Sequence, residues 1–171
     1  HVIVSSRKID DCQTVADSIK ADGGSAEAMA CHVGDMGDIT RTFETIRETH
    51  ARLDILVNSA SLPGGSPSAT GPIDGLDESE LLSDFDTKYV GALRCARAAI
   101  PFLKEQPWGR IINITSVAVK QPIDGLILSN AVRAAVTGFA KTLANEVASC
   151  GITVNNVMPG FTRTERLDGL A

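Results

Sequence analysis

Aromatic side chains are scarce in this sequence, which has one tryptophan and one tyrosine among 171 residues. No run of apolar residues approaches the ~20 that a membrane-spanning helix needs. These absences predict a soluble protein with an aliphatic core and no membrane segment. An excess of positive charge is also absent, since 16 Lys and Arg stand against 21 Asp and Glu, without a basic stripe. A nucleic-acid partner is therefore not expected.

Paired cysteines are missing as well, because the four cysteines lie far apart and form no Cys-x-x-Cys motif. Cys12, Cys31, Cys95 and Cys150 fall in apolar or helical stretches, which is typical of reduced thiols in a core. Reduced thiols favour a cytoplasmic location. No second histidine or cysteine stands at ligand spacing from His32, so no metal site is predicted.

Short β-branched runs alternate with longer segments of helical periodicity, a pattern typical of β-α units and a parallel sheet. The chain length suits one domain, expected over 1–171. Strands are predicted at 2–5, 26–31, 53–58, 109–115 and 152–157. Helices are predicted at about 10–21, after Asp38 as an N-cap, from 78 to about 105 with Pro101 ending or bending it, and at about 129–149.

Three stretches that each end a predicted strand occur in the order LDILVNSAS, GRIINITS and GITVNNVMPGFTRT. Together they resemble the short-chain dehydrogenase/reductase family, and the general sequence resembles its 3-oxoacyl-carrier-protein reductases. The resemblance implies a Rossmann-type, doubly wound parallel sheet in a three-layer α/β/α fold. It further implies NAD(P)(H) along the carboxyl ends of the strands, hydride exchange with a small-molecule carbonyl or alcohol, and a homo-oligomer, either dimer or tetramer.

Chains of that family begin earlier, with a first strand and a Gly-rich turn that binds the pyrophosphate. They also continue further, with a last strand and part of a substrate lid. Neither segment matches anything in this sequence. The resemblance therefore implies a fragment of a Rossmann-type NAD(P)-binding domain, whose sheet has a gap between the strand at Val2 and the strand at Leu53.

The family's catalytic positions hold unusual residues here. Ser116, which ends INITS, matches the catalytic serine, but Ser129 stands at the tyrosine position and Arg133 at the lysine position. Lys88, in FDTKYVG, stands at the asparagine position. A serine hydroxyl is a weaker acid than a phenol, whose ordinary pKa is ~10, and Arg133 cannot relay a proton. The Arg133 guanidinium can still bind ribose hydroxyls.

Lys88 is the candidate substitute for the missing proton donor. If its ammonium points toward Arg133, repulsion and partial burial would lower its pKa, and Lys88 aided by Ser116 would then donate the proton. The alternative places Lys88 on the surface and makes the protein a catalytically silent dinucleotide-binding homologue, acting as a sensor or partner subunit. Tyr89 points ~100° away on a helix and is expected to be a packing residue.

The cofactor positions follow from the same resemblance. Ser6 and Arg7 stand where an NAD-preferring enzyme has a carboxylate, which favours NADP(H) and leaves NAD(H) open. The alternative is that Arg7 and Lys8 are ordinary solvated charges before a helix. His32 stands where an aspartate accepts a hydrogen bond from the adenine amino group, and a neutral imidazole nitrogen can accept the same bond. The other expected cofactor residues are Val33 over the adenine, and Asn58, Ala60, Pro159, Gly160, Thr162 and Thr164.

Overall fold

The computed structural model describes residues 1–61, 72–160 and 162, and the chain divides into two compact units, His1–Arg52 and Leu53–Ala171. A single domain over 1–171 stays a prediction. Within the described residues, none of the helices combines the length and apolar character that crossing a bilayer requires.

The first unit is built from two strands and two helices in alternation. They are β1 (Val2–Ser6), α1 (Ile9–Ala21), β2 (Ala26–Ala30) and α2 (Met36–His50). The two strands pair in parallel, with Val2 opposite Ala26 and Ser6 opposite Ala30. Buried residues at helical spacing, Cys12 and Ala16 on α1 and Ile39 and Ile46 on α2, form the core of this unit.

Helix α2 begins earlier than predicted, because Asp35 rather than Asp38 is its N-cap. The Asp35 Oδ1 accepts hydrogen bonds from the N–H groups of Gly37 at 2.7 Å and Asp38 at 3.1 Å. Both aspartates suit a helix start, so local preference could not separate them. Asp38 is used elsewhere, since its Oδ2 accepts the backbone N–H of His32 at 3.0 Å.

The second unit has a three-stranded parallel sheet in the order β3-β4-β5. Its elements are β3 (Ile55–Asn58), α3 (Glu78–Phe85), α4 (Gly91–Lys104), β4 (Gly109–Ile114), α5 (Ile127–Val147) and β5 (Ile152–Val157). Helix α4 packs against β3 and β4, and α5 packs against β5. A π-helical turn, Asp86–Val90, joins α3 to α4, so the helical stretch predicted from residue 78 is confirmed.

Pro101 lies inside α4 and does not end it, so of the two predicted effects, ending or bending the helix, the first is wrong. The helix ends at Lys104, close to the predicted end at about 105. The proline ring is exposed, while the neighbouring Ala99, Phe102 and Leu103 are buried and hold the last turn against the core. The free energy gained by burying these neighbours exceeds the free energy lost with the one backbone hydrogen bond that a proline removes.

The α/β fold with parallel strands confirms the predicted Rossmann-type architecture. Among the described residues, β1 pairs only with β2 and β3 pairs only with β4, so each sheet keeps an unpaired edge strand. On β3 this leaves Ile55 and Val57 exposed, at 46% and 53%. Such apolar edges are normally covered, which agrees with the predicted incomplete sheet.

All four cysteines are free thiols, as predicted. Cys12, Cys31 and Cys95 are buried, and burial raises the pKa of the Cys31 thiol. Cys150 is only half-buried, so the expectation of a core position is wrong for this residue.

Gly151 makes the sharp connection between α5 and β5 possible. Its φ is +73°, in the left-handed region, and a Cβ at this position would lie 2.5 Å from the Pro107 carbonyl oxygen. Both the dihedral angle and the close approach of backbone atoms therefore require glycine.

We expect Gly151→Ala to lower the free energy of unfolding by more than the roughly 1–2 kcal/mol that the left-handed conformation alone costs. Urea denaturation would measure the change. The control is Gly138→Ala on α5, where an added Cβ meets nothing within 4 Å. That variant should gain up to about 1 kcal/mol from helix propensity. Equal stabilities for the two variants would contradict the role of Gly151.

Candidate active site

A row of asparagines crosses the sheet of the second unit close to the carboxyl ends of its strands. Asn58, Asn113 and Asn156 lie at the same register. The Asn58 amide donates to Asn113 Oδ1 at 2.9 Å, and the Asn113 amide donates to Asn156 Oδ1 at 3.1 Å. Asn113 is 1% exposed, so these bonds satisfy a buried amide and align the three strand ends.

Of this row, sequence reasoning identified only Asn58, and as a cofactor residue. Its described side-chain contact is with the neighbouring strand, which is a structural role. Asn113 and Asn156 were missed. The available signal was a single polar side chain inside an apolar strand, as in IINI, because such a residue needs a buried partner.

Ser116 stands directly beyond the carboxyl end of β4, beside the turn that follows β5. Thr115 donates to the Val157 carbonyl through both its N–H, at 2.8 Å, and its Oγ1, at 3.1 Å. The Val117 N–H then donates to the Pro159 carbonyl at 3.0 Å. The half-buried Ser116 hydroxyl accepts the Ala118 N–H at 3.2 Å, which fixes its position and leaves its own proton to be donated.

Arg133 reaches the same strand end from α5. Its Nη1 donates to the carbonyl of Ile114, the last residue of β4, at 2.6 Å. Ser129 lies four residues earlier on the helix, on the same face, and both residues are half-buried. Arg133 and Pro159 thus each bond to the backbone next to Ser116, at Ile114 and Val117, and a cofactor edge at this place stays a prediction.

Lys88 lies in the π-helical turn and is buried against an acidic partner. Its Nζ is 2.6 Å from the Asp84 carboxylate, and the two side chains are 8% and 2% exposed. The reading of Lys88 as a surface residue is therefore wrong. The environment of Lys88 also differs from the expected one. Repulsion by Arg133 was expected, but the Asp84 carboxylate provides an opposite charge, which favours the ammonium form.

Asp84 was missed in the sequence, although acid and base at i and i+4 are a recognisable helical pair. A π-helical turn is rare and often marks a functional position. Here it carries the buried cation. The same turn packs against α5, the helix that holds Ser129 and Arg133.

Tyr89 is a packing residue, as predicted. Its ring lies 4.7 Å from the ring of Phe85 and 6.0 Å from that of Phe139 on α5, with the second pair edge-on. These contacts hold the π-helical turn against α5 and exclude Tyr89 as a replacement for the family's tyrosine.

In the first unit, the expected nucleotide residues gather at the carboxyl ends of β1 and β2. The Cys31 N–H donates to the Ser6 carbonyl at 2.9 Å, which places Ser6 beside the segment leading to His32. The Ser6 hydroxyl accepts the Lys8 N–H at 3.3 Å, Arg7 is exposed, and His32 and Val33 are half-buried.

The expected hydrogen-bonding role of His32 needs revision. Its Nδ1 accepts the Gly34 N–H at 3.0 Å, so in the neutral ring the proton is assigned to Nε2. The outward nitrogen is then a donor, whereas an acceptor was expected for the adenine amino group.

The His32 backbone N–H and the Arg41 guanidinium hold the pKa of Asp38 below its usual range.

The remaining predicted positions lie in loops. Ala60, Pro159, Gly160 and Thr162 are exposed, next to the ends of β3 and β5. Thr164 lies outside the described residues.

A family model described as short chain dehydrogenase matches residues 1–170. The chain belongs to this family. Among the relatives of this chain is the 3-oxoacyl-[acyl-carrier-protein] reductase of Synechocystis sp., 33% identical over 92% of this chain and 63% of the relative. The NADPH-dependent reductase BacG of Bacillus subtilis is 30% identical over 96% of this chain and 62% of its own length.

Solved structures give the same assignment. L-sorbose reductase from Gluconobacter frateurii, complexed with NADPH and L-sorbose, superposes with a TM-score of 0.87 at 28% identity, over 96% of this chain and 61% of that chain. The chain thus spans about three-fifths of the length of these relatives.

For the Lys88–Asp84 ion pair, we expect Lys88→Met to lower the free energy of unfolding by about 3–5 kcal/mol, because it leaves Asp84 buried without a counter-charge. Pairing it with Asp84→Leu should recover most of that loss. Chemical denaturation measures both. Lys20→Met is the matched control, since the Lys20–Asp17 pair is 48% and 59% exposed and should change stability by less than about 1 kcal/mol. Equal losses for both lysine variants would contradict a buried pair.

Asp38 predicts a pH-dependent contribution to stability. A carboxyl whose pKa is lowered by folding stabilises the fold above its unfolded pKa, ~3.9, and that contribution is lost as the pH falls through the folded value. Asp38→Asn should therefore lower the unfolding temperature at neutral pH, by a difference that shrinks in acid. Thermal unfolding from neutral pH to below ~4 measures it. Asp124→Asn, in an exposed loop, is the control, and a difference independent of pH would contradict the charge-based explanation.

Proposed function

We propose that this chain belongs to an NAD(P)(H)-dependent oxidoreductase that exchanges hydride with a small-molecule carbonyl or alcohol, with 3-oxoacyl thioesters as the first substrate class to examine. The observation that carries this proposal is that Arg133 and the Pro159 carbonyl each bond to the backbone next to Ser116, at Ile114 and Val117 beyond the end of β4. A fixed hydroxyl beside a guanidinium suits a substrate oxygen next to a ribose.

The donor set at the strand ends fits a dinucleotide. Arg133 binds the nicotinamide ribose, while Pro159, Gly160, Thr162 and Thr164 hold the nicotinamide amide and the phosphates. Among the described residues, a Cβ at Gly160 would meet nothing within 4 Å. The bound cofactor supplies the hydride.

At the adenosine end, Ser6 and Arg7 bind a 2′-phosphate, which makes NADP(H) the preferred cofactor. His32 Nε2 donates to the adenine edge and Val33 covers the ring, while Asn58 and Ala60 border the cofactor beyond β3. The names of BacG and of the L-sorbose reductase complex, which specify NADPH, support this preference without excluding NAD(H).

Lys88 supplies the proton in carbonyl reduction. Its ion pair with Asp84 keeps the amine protonated until negative charge develops on the substrate oxygen, to which Nζ would then pass a proton, and water would reprotonate the amine. Ser116 and Ser129 donate hydrogen bonds to the same oxygen. Asp84 is a positioning residue, since its buried carboxylate holds the ammonium in place.

A homo-oligomer and a cytoplasmic location complete the proposal. The three buried free thiols fit a reducing compartment. The oligomer follows from the family resemblance alone.

We expect Ser116→Ala to lower kcat/KM by roughly 10²–10³, the loss typical of one donor to a developing oxyanion. The measurement uses the protein in its complete natural form, NADPH or NADH, and a panel of ketones, alcohols and 3-oxoacyl thioesters. Ser149→Ala, exposed beyond the far end of α5, is the control and should keep full activity.

The Asp84→Leu/Lys88→Met double variant tests the proton donor, because it removes the ammonium without leaving a buried charge. It should stay folded, bind NADPH and lose turnover. Full turnover would refute Lys88 as the donor. Nucleotide binding by the unmodified protein without turnover on any substrate would instead identify a catalytically silent binding homologue.

A further inference from the structure

A cluster of two histidines and a glutamate in the first unit has no place in the proposed reaction. His1 precedes β1, Glu27 lies on β2, and His50 is the last residue of α2. One possible ligand atom from each residue lies within 4.8 Å of the other two. None of the three is among the expected cofactor or substrate residues.

The geometry of this His-Glu-His cluster is convergent. The Glu27 Oε1 is 3.4 Å from the Nε2 of His1 and is hydrogen-bonded to the Nε2 of His50. The two imidazole rings lie 4.8 Å apart and are tilted by 34°. Two ring nitrogens and a carboxylate oxygen thus face one small volume. These are the donor atoms that Zn²⁺ and related divalent transition metals prefer.

The ring of His1 is also oriented by an outer partner. Its Nδ1 lies 2.6 Å from Ser25 Oγ, and the Val2 N–H donates to the Ser25 carbonyl at 2.9 Å. With Nδ1–H donating to the serine, the lone pair of the ring is on Nε2, which faces Glu27. Around a metal ion, a histidine usually faces the ion with one ring nitrogen while its other ring nitrogen is hydrogen-bonded to an oxygen atom.

The three ligands come from three elements whose positions are fixed independently. Pairing of β1 with β2 sets His1 against Glu27, which itself stands opposite Ile3. Helix α2 packs against β2, and the residue after its end, Ala51, caps it by donating its N–H to the Ile46 carbonyl at 3.2 Å. The cluster side chains are 27–37% exposed, so an ion held there stays accessible to water.

We propose that His1, Glu27 and His50 form a binding site for a divalent transition-metal ion of the Zn²⁺ type, with water completing the coordination. The bound ion links β1, β2 and the end of α2 and stabilises the first unit. This site does not depend on the proposed oxidoreductase activity.

Titration of the untagged, metal-free protein with Zn²⁺, followed by calorimetry, tests the site. One equivalent should bind, and it should raise the unfolding temperature by mass action. His50→Ala and Glu27→Gln should abolish both effects. Ser25→Ala should weaken binding by roughly tenfold, the loss typical of an outer-shell partner. Circular dichroism checks that each variant is folded.

Two controls separate this site from adventitious binding. His32→Ala removes the third histidine, and Glu48→Gln removes an exposed carboxylate from α2. Both variants should bind Zn²⁺ as the unmodified protein does. Absence of saturable binding, or binding unchanged by His50→Ala and Glu27→Gln, would refute the proposal and leave a simple hydrogen-bonded cluster.

Discussion

Parallel pairing of β4 with a strand on each side is the constraint on which the second unit depends. It brings the ends of β3, β4 and β5 to one edge, where the buried amide of Asn113 joins Asn58 to Asn156. The bond from Arg133 to the Ile114 carbonyl then holds α5 to the same edge. Every residue proposed to contact the nicotinamide depends on this alignment, because a shift of register would reverse the facing of side chains along a strand.

Electrostatics distinguish this protein from the family pattern it resembles. Where that pattern has a tyrosine and a lysine, this chain has Ser129 and Arg133, which offer hydrogen bonds but no proton near neutral pH. The buried ammonium of Lys88 lies in the π-helical turn, neutralised by Asp84. An ion pair so deeply buried contributes little net stability compared with apolar residues of similar size, so its presence points to positioning of the charge.

Prediction from sequence worked where local periodicity controls structure. Helical spacing predicts a buried stripe of Val132, Val136, Phe139, Leu143 and Val147 on α5, and all but the half-buried Phe139 are buried. The strands follow their β-branched runs. Prediction was wrong where neighbouring residues compete for one role. Asp35 and Asp38 are equally good caps, and only the contact with the His32 N–H separates them. The proton of His32 likewise depends on a bond to Gly34 that spacing does not specify.

The sequence alone determined the order of strands and helices and the family, because both depend on spacing along the chain. The same spacing proposes Ser116, Ser129, Arg133 and Lys88 as catalytic positions. Tertiary structure alone decided that Lys88 faces Asp84 in the interior and that His1, Glu27 and His50 converge. The three members of that cluster are separated by more than twenty residues at each step, a distance at which helical and strand periodicity carry no information. Strand register and helix packing bring them together, and these form only when the chain folds.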